Sequence, residues 1–337
     1  MRRTLFVRRN YERQRQQRRW AYFKPAYTPM DLSIIIVNRN TKKLLLDCVG
    51  SIFNTVPPLS FEVFVVDNAS SDESISALKS AFPSIVCIEN KKNLGFARAN
   101  NQAIVLSKGR YAALLNTDTV LTEGALDAIV KFMDSNNKAA ICGGQLLNED
   151  GSLQNSIASI PTLATELLNK SLLKFLFPKK YPGKKSRFEK PTEVASIIGA
   201  CMVVSRKAIE KAGMLDEAYF FFLEETDWCL AMKKAGFSVF FLPHSRIYHL
   251  QGQTAKKNLK AARIEYWRSR YIFFRKHYSA AVNMVLYAGL LIRLCVSILL
   301  QLPASALSAK TREKLSVNFN LLIWHIMGRP DGWGIAR

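Results

Sequence analysis

The chain has 337 residues, 49% of them hydrophobic and 22% charged, enough apolar mass for a sizeable core; this excludes a disordered or fibrous chain. Its formal charge is +22, and the excess sits at the ends: +8 in residues 1–24 and +11 in residues 251–337, which leaves +3 in between. A body that gripped nucleic acid would carry basic clusters of its own, so no nucleic-acid partner is expected, whereas basic tails around a near-neutral body suit an anionic membrane surface.

Residues 1–29 are rich in Arg and Gln and lack apolar periodicity, so they read as a basic extension. No apolar stretch of secretory-signal length follows the basic run, which predicts a cytoplasmic body. The cysteines Cys48, Cys87, Cys142, Cys201, Cys229 and Cys295 are widely spaced and form no CxxC pair, so reduced, buried thiols are expected.

From Met30 the chain alternates short β-branched runs with helical spacings. Leu32–Val37 reads as a strand buried on both faces. The helix after it carries Leu44, Leu45, Cys48, Val49, Ile52 and Phe53 at helical intervals. Phe61–Val66 is the second strand, and Ser70-Ser71-Asp72-Glu73 opens a helix that runs to about Ala81. Ile85–Ile88 is a shorter third strand, Phe96–Ser107 a helix closed by Lys108-Gly109, Tyr111–Leu115 a fourth strand, and Thr122–Met133 a further helix. Four strand–helix units in succession predict an α/β fold with a mostly parallel sheet covered on both faces.

Such sheets bind ligands beyond the carboxyl ends of their strands. Polar residues stand there in each case: Asn38-Arg39-Asn40, Asp67-Asn68 and Asn116-Thr117-Asp118. Any one of them could be only a turn former, but three on one edge point to a site. Residues 38–44 contain no glycine, so the dinucleotide fingerprint is absent, and no P-loop occurs. Bound phosphates would then be neutralised by a metal on carboxylate or by basic side chains. Asp118 with Asn116 offers hard oxygen ligands for Mg²⁺ or Mn²⁺, and Arg98 on the preceding helix could reach a diphosphate.

These stretches, together with Asn93-Leu94-Gly95-Phe96-Ala97-Arg98-Ala99-Asn100, Ile198-Gly199-Ala200-Cys201-Met202, Leu223-Glu224-Glu225-Thr226-Asp227-Trp228-Cys229 and His249-Leu250-Gln251-Gly252, give seven motifs in order. The chain over residues 31–275 resembles the inverting family 2 glycosyltransferases, particularly the branch that contains bacterial rhamnosyltransferases of surface polysaccharide assembly. The resemblance implies a GT-A fold holding a nucleotide sugar over the polar strand edge. It implies that Asp67 meets the nucleotide base with Asn38 and Asn68 beside it, and that Asn40, Asn93, Arg98 and Asn116 line the donor site. Asp118 would be the metal-binding carboxylate of a DxD-type motif whose first position here is Asn116, and His249 matches a position that supplies a metal ligand in some relatives.

Displacing a nucleoside diphosphate at an anomeric carbon with inversion needs a base for the acceptor hydroxyl and a cation for the leaving group. Glu224, Glu225 and Asp227 form the densest acidic cluster, beside Phe220-Phe221-Phe222 and Trp228, where burial would raise a carboxylate pKa. The family pattern there is Glu-Asp-x-Asp with its second residue as catalytic base, which falls on Glu225. The competing reading is that Glu224 and Asp227 cap a helix over Trp228–Ala235, and it applies to Asp227 more than to Glu225.

Residues 281–302 are long and apolar enough to span a bilayer, with Arg293 at their centre. A central Arg costs roughly 2.5–3.5 kcal/mol in a span, so an in-plane helix whose Arg snorkels to headgroups is the preferred expectation. Packing on the main domain or on a second subunit is the soluble alternative, which leaves a homodimer open. Residues 315–328 carry Leu315, Phe319, Leu322, Ile323 and Ile326 at helical spacing, a second amphipathic element. Residues 169–193, rich in Lys, Pro and Gly, read as a connection that could close over the donor or lie against lipid phosphates. The expected organisation is a basic extension over 1–29, a transferase domain over 30–275 and a membrane-associating segment over 276–337. The expected activity moves a sugar from dTDP-rhamnose or a UDP-hexose to a lipid-linked saccharide on the cytoplasmic face of the membrane. A non-catalytic nucleotide-sugar-binding subunit is the alternative.

Overall fold

The computed structural model describes residues 30–55, 59–177, 188–250, 258–306 and 308–336. The basic extension, residues 178–187 of the Lys/Pro/Gly-rich connection and Gln251-Gly252 lie outside the described residues.

The first half follows the sequence pattern closely. Strands β1 (Leu32–Asn38), β2 (Phe61–Asn68), β3 (Val86–Asn90) and β4 (Tyr111–Asn116) alternate with helices α1 (Lys42–Thr55), α2 (Ser74–Ala81) and α3 (Phe96–Leu106). They pair in parallel in the order β3-β2-β1-β4. Strand β3 begins one residue later and ends two residues later than its apolar run suggests. It is an edge strand whose residues are exposed or half-buried, so hydrophobicity marks its limits poorly.

Past β4 the structure adds what apolar patterning did not show. Strand β5 (Thr119–Leu121) occupies residues just before the expected helix, which starts instead as α4 (Ala125–Ser135), behind a left-handed Gly124. Strands β6 (Ala139–Leu147), β10 (Cys201–Ser205) and β11 (Ser238–His249) extend the sheet to β4-β10-β6-β11-β5. Strand β10 runs antiparallel to both β4 and β6, and β5 is antiparallel to β11, so half of the sheet is mixed. Short strands β7 (Ile157–Ala158) and β9 (Ser196–Ile197) pair with each other, and β8 (Thr192–Glu193) pairs with β11.

Each sheet face has its own core. Leu45, Cys48, Val49 and Ile52 of α1 and Ile129 and Met133 of α4 cover one face. The other is covered by Ala99, Ala103 and Ile104 of α3, Ile209 of α7 (Arg206–Ala212), and Trp228, Cys229 and Met232 of α8 (Glu224–Lys234). A third apolar cluster is built by α9 (Leu259–His277), α10 (Ala280–Ser305) and α11 (Ala309–Ile326), through Trp267, Phe274, Leu286, Leu290, Leu294, Ile298 and Trp324. Two short helices, α5 (Leu163–Leu167) and α6 (Lys170–Leu176), precede β8, and Leu167 of α5 sits against Gly289 of α10. All six cysteines are free; Cys48, Cys142, Cys201 and Cys229 are buried as expected, but Cys295 is exposed on α10.

Candidate active site

Parallel register brings the polar strand ends side by side: Asn38 stands opposite Asp67, and Asn116 opposite Val37. Buried polar groups must find partners, and here they find one another. The Asn38 amide donates to Asp67 Oδ1 (2.8 Å), Ser74 Oγ (2.7 Å) and Ser70 Oγ (3.1 Å), while Asn38 Oδ1 accepts from Thr41 Oγ1 (2.7 Å). Asp67 Oδ2 accepts from the Ser70 amide at 2.9 Å, and Asn40, at a left-handed φ of 52°, accepts the Ser71 amide at 2.7 Å. Asn68 donates to the Gly95 carbonyl and accepts from Asn90. The result is a rigid, acceptor-rich shelf.

Asn93 orients the next turn by accepting the Gly95 amide at 3.1 Å. Its own amide donates to the Ala336 carbonyl (2.7 Å), an oxygen that also accepts from Arg39 Nη1 (2.6 Å), so the C-terminal segment reaches this edge. Gly95, at φ 81°, cannot be replaced without collision, because a Cβ there would stand 2.4 Å from the Phe220 carbonyl oxygen. Arg98, on α3, pairs with exposed Glu217, its Nε 3.8 Å from Glu217 Oε2.

Asp118 and His249, far apart in sequence, are joined because β5 and β11 pair with Thr119 opposite His249. His249 Nε2 lies 3.4 Å from Asp118 Oδ1, and the other ring nitrogen, Nδ1, is 3.1 Å from Gln154 Oε1. The Gln154 side-chain oxygen accepts from Nδ1 and so orients the ring with Nε2 toward the carboxylate. One carboxylate and one imidazole so arranged fit two positions of a Mg²⁺ or Mn²⁺ shell, with substrate phosphate and water left to complete it. Among the described residues no group of three His, Cys, Asp or Glu side chains is placed to hold a metal ion, so Asp118 and His249 would supply only part of that shell.

The acidic cluster lies one turn earlier in a helix than expected: α8 starts at Glu224, not at Trp228. Phe222 (φ 75°) and Leu223 (φ 66°) are both left-handed, a strained turn that sets Glu224 and Glu225 in the first turn of α8. Burial drives Glu225 up to about 7 against the opposing pull of backbone N–H groups at Glu225 and Thr226. Glu224 is buried more completely, its Oε2 has no hydrogen-bond partner, and burial followed by repulsion from Glu225 raises its pKa well above the carboxylate range. Glu225 is half-buried, so of the two it is the less enclosed.

Asp227 is differently placed. Burial works against its charge, but His277 Nε2 (2.6 Å from Oδ1) and Lys276 Nζ (2.6 Å from Oδ2) outweigh it and hold the carboxyl below its ordinary range. Both of its oxygens are thereby committed to tying α8 to the end of α9.

Sequence reasoning passed over Gly199, quoted only within a motif. A Cβ built on it would stand 3.3 Å from both Cβ and Cγ of Glu225, and the next residue's carbonyl accepts the Asn116 amide at 2.9 Å. This turn connects the acidic pair to the strand edge. Gln154, Lys276, His277 and the serines around Asp67 were likewise missed; none carries a local pattern, and each is defined by a partner distant in sequence.

Residues 33–213 match the Glycosyl transferase family 2 description, and the chain belongs to that family. The fold is GT-A: it is similar over 93% of both chains, with a TM-score of 0.55 and 14% identity, to a mannosyltransferase of Pyrobaculum calidifontis solved with GDP-Man and Mn²⁺. It is also similar to GalNAc-T7 solved with UDP, GalNAc and Mn²⁺ (TM-score 0.52, 16% identity, 73% of this chain and 50% of that one). In sequence it is 25% identical over 233 residues, 64% of this chain and 75% of the relative, to an N-acetylglucosaminyl-diphospho-decaprenol L-rhamnosyltransferase of Mycobacterium tuberculosis. It is 27% identical over 214 residues, 62% of this chain and 64% of the relative, to the low-salt glycan biosynthesis hexosyltransferase Agl10 of Haloferax volcanii.

Proposed function

We propose that this family 2 glycosyltransferase is an inverting, divalent-cation-dependent enzyme that moves one sugar, rhamnose from dTDP or a hexose from UDP, to a hydroxyl of a lipid-linked saccharide. The observation that carries the reading is the placement of Glu225: a half-buried carboxylate in the first turn of α8, joined through the Gly199-Ala200 turn to the polar strand edge and pushed up to about 7 by burial. That is the pKa a general base needs at neutral pH.

In this reading Asp67, held by Asn38 and Ser70, meets the nucleotide base, and Asn40, Asn68, Asn93 and Asn116 line the rest of the donor site. Glu225 accepts the proton of the acceptor hydroxyl as that oxygen bonds to the anomeric carbon from the face opposite the diphosphate. The bond to the diphosphate breaks and the nucleoside diphosphate leaves, which inverts the centre. Asp118 and His249 would hold a divalent cation whose charge offsets that of the departing diphosphate. Burial and the nearby Glu225 disfavour a charge on Glu224, which limits the negative charge beside the base, and Asp227 positions α8.

Helix α10 is 26 residues long with a mean hydropathy of 2.1 over its most apolar window, and only 22% of that window is buried. Leu286, Leu290, Leu294 and Ile298 face the protein, while Met284, Ile292, Leu299 and Leu300 are exposed. One covered face and one open face suit a helix lying in the interface of a membrane, where a lipid-linked acceptor would also be found. Arg293, at the middle of this helix, is exposed and donates through Nη1 to the Glu166 carbonyl at 2.7 Å. The test is release of nucleoside diphosphate across a panel of dTDP-, UDP- and GDP-sugars with lipid extract, with and without chelator. Turnover with one donor, abolished by chelation, is expected; turnover indifferent to chelation refutes the cation requirement, and consumption of no donor refutes the transferase reading.

A further inference from the structure

Helix α9 carries Arg263, Tyr266 and Arg270 at spacings of three and four, so their side chains share one face. Arg270 is buried; its guanidinium lies 4.4 Å over the Tyr266 ring and 5.4 Å over that of Trp267, and its Nε is 2.9 Å from Glu166 Oε2. Arg293 arrives from α10 and donates through Nη1 to the backbone carbonyl of the same Glu166. Burial, then Arg270 and then Arg293, hold the Arg263 guanidinium below its ordinary range, against opposing pulls from Tyr266 and Glu166. Arg270 thus meets the Glu166 carboxylate and Arg293 its backbone carbonyl, and Arg263 on the same face of α9 is near enough to repel both, so three positive charges gather about one negative.

A cluster of like charges is costly unless an anion relieves it, and planar guanidinium groups match phosphate oxygens in pairs. Here one guanidinium is fixed by burial and stacking, while the Arg263 and Arg293 side chains, drawn in toward Glu166, still keep solvent-exposed surface. The location narrows the choice of ligand. Tyr266 packs edge-on against Phe222 at 5.6 Å, and Ser269 Oγ donates to the Phe221 carbonyl at 2.8 Å, which puts this face of α9 against the strained turn that leads into Glu224 and Glu225. On the other side, Arg293 is flanked along α10 by exposed Ile292 and Val296. An anion held here has the acidic pair on one side and the apolar face on the other.

We propose that Arg263, Arg270 and Arg293 form the site for the diphosphate of a lipid-linked acceptor, with its lipid chain along α10 and its sugar directed to Glu225. This rests on the transferase reading for its purpose, but the binding can be measured without turnover. The experiment uses the full chain and its Arg263→Gln, Arg293→Gln and double variants; Arg270 is left alone because its loss would strand buried Glu166. Flotation is compared on phosphatidylcholine vesicles doped with undecaprenyl diphosphate and on vesicles carrying equal charge as phosphatidylglycerol. Donor affinity is measured in parallel by calorimetry.

The wild-type chain is expected to favour undecaprenyl diphosphate vesicles at least tenfold, and the double variant to lose that preference while its unfolding temperature and donor affinity hold. Equal binding to both vesicle types would overturn the proposal in favour of bulk headgroup attraction. A preference unchanged in the double variant would overturn it too, and so would a drop in donor affinity, which would assign the arginines to the donor. Absence of turnover with every donor would sink the transferase reading while leaving the vesicle preference to be read on its own.

Discussion

Gly199 packs directly on Glu225: a single added carbon at Gly199 would lie 3.3 Å from two side-chain carbons of that glutamate. The contact is tighter than the comfortable separation of about 3.5–4 Å, so the carboxylate is steered by the absence of a side chain. Gly199→Ala is expected to move Glu225 by a few tenths of an ångström and to lower kcat about tenfold, with donor KM within twofold. Steady-state kinetics on the variant checks this; a shift confined to KM would place Gly199 in the donor site.

In the proposed function Asp227, held by His277 and Lys276, contributes stability rather than proton transfer. Its folded pKa lies below its unfolded value of roughly 3.9, so its contribution is fully present above that pH and is lost as pH falls through the folded value. Asp227→Asn is expected to cost about 1–3 kcal/mol at pH 7, discounted because Lys276 is partly exposed and keeps Asp216 as a partner. Thermal unfolding at pH 7 and at pH 3 reads the difference, which should shrink at the lower pH.

The Asp118–His249 pair predicts a graded response to Mn²⁺. His249→Ala should raise the Mn²⁺ concentration for half-maximal activity by roughly 10–100-fold, and Gln154→Ala should do so more weakly by releasing the ring orientation. Asp118→Ala should abolish activation. Metal titrations of the three variants test the order of these effects.

The open face of α10 predicts reversible membrane binding. Replacing Ile292, Leu299 and Leu300 with Glu together should release the chain from anionic vesicles in a sedimentation assay and leave turnover on a soluble acceptor within a few-fold. Retention of the triple variant on vesicles would instead implicate the basic residues alone.

How far the site was legible depended on whether a residue's partner was near in sequence. Asn38, Asp67 and Asn116 could be placed on one edge because each ends a strand with a continuous apolar run and parallel strands finish together. Past β4 the strands are mixed in direction, and their pairing is decided by tertiary contacts such as Thr119 with His249, which no apolar period reveals. The start of α8 was misread because Phe222 and Leu223 adopt left-handed angles that their side chains disfavour, so the turn is imposed by packing. Lys276 was counted only in the basic C-terminal excess and His277 belonged to no motif, yet they hold Asp227.

The most direct test is turnover and donor binding of Glu225→Gln beside the wild-type chain from pH 5.5 to 9. Since a base must be unprotonated, wild-type kcat/KM is expected to rise with pH through an apparent pKa near 7. Glu225→Gln should bind donor as tightly, lose at least about 10²-fold in kcat and show no such acid limb. Near-normal turnover in Glu225→Gln, with the limb retained, would contradict the assignment of the base and with it the central claim.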